Sequence, residues 1–146
     1  MPKRRATLCL IDDDPHDAFL ARRIFAREAP RLRVVHRADA DAICADVGCL
    51  RLEETGVYPD FLFLDINMPK ADGFSILREL KRHRALRRIP VFVFTTSENP
   101  EHVATAYAEG AAAFLVKPPA VEEYVMLARA FVQFWLDIAR RPSSLV

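Results

Sequence analysis

The runs Phe61-Leu62-Phe63-Leu64 and Val91-Phe92-Val93-Phe94 contain no polar residue. A strand with one face in water alternates apolar and polar side chains, so these strands need cover on both faces. Apolar, β-rich runs at 7–11, 32–36, 61–64, 90–95 and 112–116 alternate with longer stretches of helical spacing. Five strand-plus-helix units with buried strands predict an α/β fold: one doubly wound parallel sheet with helices on each side. The 146 residues, 51% of them hydrophobic, suit a single domain with a core of its own. No repeat, low-complexity segment or linker divides them, so 1–146 is read as one domain.

Charge excludes some partners. The formal net charge of +1, from 21 basic and 20 acidic residues, provides no general attraction to DNA or to an anionic membrane. The basic stretch "LKRHRALRR" and Arg22, Arg23 and Arg27 read as solvated faces, and the expectation is no DNA binding. Lys3-Arg4-Arg5 precedes an apolar run too short for a signal peptide or a membrane span, which predicts a cytoplasmic protein with no membrane partner. Cys9, Cys44 and Cys49 are odd in number and lack a C-x-x-C pair, which argues against a disulfide framework or a zinc site. His16, His36, His83 and His102 show no ligand spacing.

In an open parallel sheet, chemistry gathers beyond the carboxyl ends of the strands. The first strand ends in Asp12, Asp13 and Asp14, the third in Asp65, the fourth in Thr95 and Thr96, and the fifth in Lys117. Asp14 precedes Pro15, a favoured first helical residue, and reads as an N-cap. Asp12, Asp13 and Asp65 remain, and crowded carboxylates call for a cation. A hard divalent ion with oxygen ligands, Mg2+, is the economical choice. Beside such a metal a carboxylate can act as nucleophile toward a phosphoryl group, with a lysine and a hydroxyl taking up the phosphoryl charge. Asp65 at a strand end combines a rigid platform with access to solvent.

These residues, in this order, resemble the receiver domain of two-component response regulators over about residues 6–140. The resemblance implies the flavodoxin-like strand order 2-1-3-4-5 and Asp65 as phosphoacceptor. It makes Asp12 and Asp13 the acidic pair, with Asn67 lending a backbone carbonyl to the metal. Thr95 matches the switch hydroxyl, Phe114 the aromatic that moves with it, and Lys117 the phosphoryl-binding lysine, with a cis bond to Pro118. It further implies a sensor histidine kinase as phosphodonor, a signalling role rather than enzymatic turnover, and output through the face of the fourth helix, fifth strand and fifth helix. The "DDDP" start, "FTTS" and the final "FVQFWLDIARR" resemble stand-alone regulators paired with phytochrome-type sensor kinases, which carry no output domain.

Two other readings stay open: a degenerate receiver serving as a constitutive binding module, and a haloacid-dehalogenase-like phosphatase. The phosphatase wants an acid two positions after its nucleophile, where Asn67 stands. Neither G-x-G-x-x-G nor G-x-x-x-x-G-K-[ST] is present to suggest a nucleotide enzyme. Extra residues around "ADVGCLRLEETGVYPD" predict a lengthened second helix or a longer loop after it. Drawn at 100° per residue, 121–138 spreads its apolar side chains over roughly 200°, about twice the stripe a surface helix needs. Tyr124, Phe131, Phe134, Trp135 and Ile138 are therefore expected at a homodimer interface, unless the extra segment folds back over that face.

Overall fold

The structure is a computed structural model that describes residues 5–142, so Lys3 and Arg4 of the basic start lie outside the described residues. Five strands, β1 (Ala6–Ile11), β2 (Leu32–Arg37), β3 (Phe61–Leu64), β4 (Val91–Thr95) and β5 (Ala113–Val116), form one parallel sheet of order β2-β1-β3-β4-β5. The connections are α1 (Pro15–Glu28), α2 (Ala40–Ala45), α3 (Gly73–Arg82) and α4 (Pro100–Ala108), and α5 (Val121–Val132) follows β5. The doubly wound parallel sheet expected from the strand pattern is observed, in the order that the resemblance implies.

The unbroken apolar runs divide between two faces. Phe61, Phe63, Phe92 and Phe94 turn toward α1 and α5, where they meet Ile24, Phe25, Tyr124 and Phe131. Leu62, Leu64, Val91 and Val93 point the other way, onto Ile43, Ile76, Leu77, Leu80 and Ala106 of α2, α3 and α4. One face is thus aromatic and the other aliphatic, as strict side-chain alternation along β3 and β4 dictates. Burial of these side chains is the main force holding the layers together. The helices anchor unequally: α3 buries Ile76, Leu77 and Leu80, whereas α4 buries only Ala106.

The extra residues after β2 form a longer loop rather than a longer helix. α2 stops after six residues, and a 3-10 turn, Val47–Leu50, follows it. Val47, Leu50 and Tyr58 add to the aliphatic layer, on the side of the sheet away from α5, so this segment does not cover the final helix.

Two expectations require correction. α5 gives way at Gln133–Ile138 to a π-helical turn, where five-residue hydrogen bonding breaks the 100° phase of the helical wheel. Tyr124 and Phe131 are buried in the aromatic layer of their own chain, at 3% and 5% exposure, and are not interface residues. Trp135 also turns inward, its ring packed edge-on against Phe61 and Phe92. Only Phe134 and Ile138 of the five stand out into solvent. The second correction concerns Pro118: no cis peptide bond occurs among the described residues, so the Lys117-Pro118 bond is trans, the isomer an X-Pro amide intrinsically prefers by about 0.5–1 kcal/mol.

Candidate functional site

Four side chains reach the carboxyl edge of the sheet by one device. Asp12, Asp65 and Lys117 are each the first residue beyond a strand, and their backbone N–H groups still donate into the ladder, to Arg37, Ile11 and Thr95 carbonyls. Thr95 is the last residue of β4. Backbone rigidity is therefore carried to the base of each functional side chain. Thr95 is fully buried, and Asp12, Asp65 and Lys117 are nearly so.

Lys117 Nζ donates to Asp12 Oδ2 at 2.8 Å, Asp17 Oδ2 at 2.8 Å and Asp65 Oδ2 at 2.9 Å. An ammonium has three N–H donors, so the set is saturated. Burial alone would push the lysine down, but its bonds to Asp12, Asp17 and Asp65 outweigh that and hold it above the ordinary lysine range. Asp12 is displaced upward because burial disfavours its carboxylate more than Lys117 and the Asp14 N–H stabilise it. Three carboxylates share one ammonium. The half-exposed Asp13 carboxylate has no hydrogen bond or ion pair among the described residues.

The remaining contacts set the nucleophile and the hydroxyl. Asp65 Oδ1 accepts from the Asn67 N–H at 2.9 Å, and the Asn67 amide donates to Thr95 Oγ1 at 3.3 Å. Thr95 Oγ1 also accepts from the Ser97 N–H. Phe114 lies on β5, half-buried, its N–H donating to the Tyr107 hydroxyl. Behind the acceptor, Gly73 opens α3 so close to the main chain that a Cβ there would lie 2.5 Å from the Asp65 carbonyl oxygen and 2.6 Å from Ile66 Cα. Only glycine fits, which lets α3 press against the loop that carries Asp65.

Asp12, Asp65, Thr95, Asn67 and Lys117 thus come together as read from the sequence, with Asp13 at their border and Phe114 one strand away. Asp14 caps α1 as expected, accepting from the His16 and Asp17 N–H groups. Two contributors were missed. Asp17 reaches Lys117 from the first turn of α1, and the "DPHD" spacing of 14–17 that puts an acid one turn beyond the cap was the available signal. His36, which shows no ligand spacing in the sequence, has Nε2 2.6 Å from the Asp12 carbonyl oxygen; a carbonyl only accepts, so that nitrogen carries the proton. Nothing local in the sequence announces that contact.

Residues 8–129 match the family model described as the response regulator receiver domain. The chain belongs to this family. The receiver is 32% identical over 137 residues to the probable methanogenesis regulatory protein FilR2 of Methanothrix harundinacea, covering 92% of this chain and 86% of that protein. It is 27% identical to response regulator Rcp1 of Synechocystis, covering 94% of this chain and 93% of Rcp1. Rcp1 has been solved in an Mn2+-bound form, with a TM-score of 0.79 to this receiver over 94% of this chain and 99% of that one. The phosphorylated cyanobacterial phytochrome response regulator RcpA gives a TM-score of 0.82 at 27% identity, over 96% of this chain and 100% of that one. A response regulator of red light signalling in R. palustris gives 0.82 at 29% identity, over 94% and 99%. The receiver therefore resembles phytochrome-associated response regulators along nearly its whole length. Among the described residues no helix is long and apolar enough to cross a membrane.

Proposed function

We propose that Asp65 accepts a phosphoryl group, in a Mg2+-dependent reaction, from a sensor histidine kinase of the phytochrome-associated class. The observation that carries this is the convergence of Asp12, Asp65 and Lys117 within hydrogen-bonding distance, with the Thr95 hydroxyl tied to the same loop through Asn67. The metal fits the donors: three carboxylates sharing one ammonium retain surplus negative charge on hard oxygens. Among the described residues no group of three acid, His or Cys side chains is placed to hold a metal by itself; by the family resemblance Asp12, Asp13 and Asp65 would hold it with the Asn67 carbonyl and water. Bound there, Mg2+ would supply screening between the attacking carboxylate and the incoming phosphate.

The rest belongs to the chain. An Asp65 carboxylate oxygen attacks phosphorus and forms a P–O bond, while the bond to the donor breaks and its electron pair leaves with the donor atom: the carboxylate oxygen of an acyl phosphate, or the ring nitrogen of phosphohistidine. Asn67 N–H fixes the rotation of the Asp65 carboxylate, and Lys117 and Thr95 offer N–H and O–H donors to the phosphoryl oxygens. Incubation with acetyl phosphate and Mg2+ should add the mass of one phosphate, and EDTA should prevent it. If a phytochrome-type kinase leaves the chain unlabelled where acetyl phosphate labels it, the chemistry stands and the kinase class falls.

Output follows through Thr95 and Phe114. A phosphoryl oxygen drawing on the Thr95 hydroxyl competes with its bonds to Asn67 and Ser97, and Phe114, half-buried on β5 opposite Val93 and packed with the aliphatic layer, takes up the altered space and so changes the face made by α4, β5 and α5. Thr95→Ala should still accept phosphate yet lose most of the phosphorylation-dependent change in partner affinity or assembly. An unaltered change, measured by titration of the phosphorylated variant, would remove Thr95 from the relay.

The partner at the end of the last helix is a second copy of the chain. Phe134 is 51% and Ile138 65% exposed on the π-helical turn, with Trp135 filling the space beneath Phe134. Neighbouring apolar side chains left in water favour pairing, and twofold closure is its commonest form. Sedimentation equilibrium at tens of micromolar should return a dimer that Phe134→Glu dissociates; a monomeric parent would rule the contact out.

A further inference from the structure

We infer that Asp17 is a positioning residue that restrains Lys117 before phosphoryl transfer and releases it during transfer, thereby slowing phosphoryl uptake. The inference rests on Asp65 being the acceptor. Its basis is a count of donors: Lys117 has three N–H groups, and Asp12, Asp17 and Asp65 take all three at 2.8–2.9 Å. A phosphoryl group arriving on Asp65 presents oxygens that require a donor, so one existing bond must open.

Exposure decides which one opens. The Asp12 and Asp65 side chains are 1% and 6% exposed, and a carboxylate left there without its ammonium would be desolvated and unpaired. Asp17 is 36% exposed, so water can replace the lost bond at low cost. Asp17 also belongs to α1, whereas its two competitors stand at the sheet edge. Its release frees the first turn of α1 from Lys117, and the exposed Phe19 follows two residues later. The covalent step is unchanged: the P–O bond to Asp65 forms, the donor bond breaks with its electron pair, and the Lys117 proton stays on nitrogen while its hydrogen bond passes from Asp17 to a phosphoryl oxygen.

Two variants and two donors test this. Asp17→Ala leaves one Lys117 N–H without a protein partner, whereas Asp17→Asn keeps an acceptor oxygen in place and removes only the charge. Acetyl phosphate is the more highly charged donor and phosphoramidate the less charged one. Asp17→Ala should raise the rate of phosphoryl uptake about fivefold with both donors, the size of one hydrogen bond to a charged group partly compensated by water, while Asp17→Asn stays within about twofold of the parent. A rise shared equally by Asp17→Ala and Asp17→Asn, and larger for acetyl phosphate, would show simple charge repulsion and overturn the inference. Unchanged or slower uptake in Asp17→Ala, with the fold intact by circular dichroism, would overturn it too. Should the parent itself take up no phosphate, the Asp65 reading and this one fall together; should the parent react and Asp17→Ala match it, only this one falls.

Discussion

Asp65→Asn should lose all detectable phosphoryl uptake and remain folded. The amide lacks the anionic oxygen that attacks phosphorus, so no slower route through the same position remains. Its carbonyl oxygen can still accept from the Asn67 N–H or from Lys117, which keeps the loop in place. The substitution also leaves two carboxylates, not three, around one ammonium, so buried like-charge repulsion falls. The thermal midpoint should hold or rise. Native mass spectrometry after acetyl phosphate and Mg2+ is the direct measurement, and one added phosphate on the variant would move the acceptor elsewhere.

Phe131→Ala should remove about 3–5 kcal/mol of folding stability, the usual range for an aromatic deleted from a core. Phe131 sits at the centre of the aromatic layer, with ring centroids of Phe61, Phe63 and Phe92 at 5.1, 5.2 and 5.2 Å, each edge-on, and with Phe25 and Trp135 beyond them. Small domains have about 5–15 kcal/mol in total, so the loss is a large fraction. Urea unfolding should show it at every protein concentration, because the contacts lie within one chain. A loss under about 1 kcal/mol, or one that grows on dilution, would place Phe131 at an interface after all.

That contrast shows what the sequence could disclose. The sheet was legible because Phe61-Leu62-Phe63-Leu64 and Val91-Phe92-Val93-Phe94 carry a signal of period two in which both faces are apolar, and such strands have few places to go. Asp12, Asp65, Thr95 and Lys117 were legible because each follows or ends an apolar run, and parallel strands bring their carboxyl ends to one edge. Phe131 was misplaced because an apolar arc of about 200° does not say which half of it meets the chain's own sheet, and beyond Gln133 the chain also abandons the constant turn angle that a helical wheel assumes. Asp17 and His36 were harder to read for another reason. Their contacts cross from α1 and β2 to residues whose position depends on the assembled sheet; spacing from the Asp14 cap hints at the first and nothing along the chain marks the second.

The unequal anchoring of the helices gives the receiver a mechanical bias. Lifting α3 would expose Ile76, Leu77 and Leu80, several kcal/mol of apolar burial, whereas the one side chain α4 buries fully is the methyl of Ala106, on the order of 1 kcal/mol, beside the partly buried Val103 and a ring contact of His102 with Phe74. α4 also follows directly on the loop that leaves Thr95, and that loop is tied to it by the short Ser97 Oγ to His102 Nδ1 contact of 2.7 Å. The most compliant element of the molecule is therefore coupled to the hydroxyl most sensitive to charge on Asp65. Rearranging a single hydrogen bond, worth about 1 kcal/mol, is comparable to the burial of Ala106, so the aromatic half can stay rigid as a frame while the aliphatic half yields at its weakest seam.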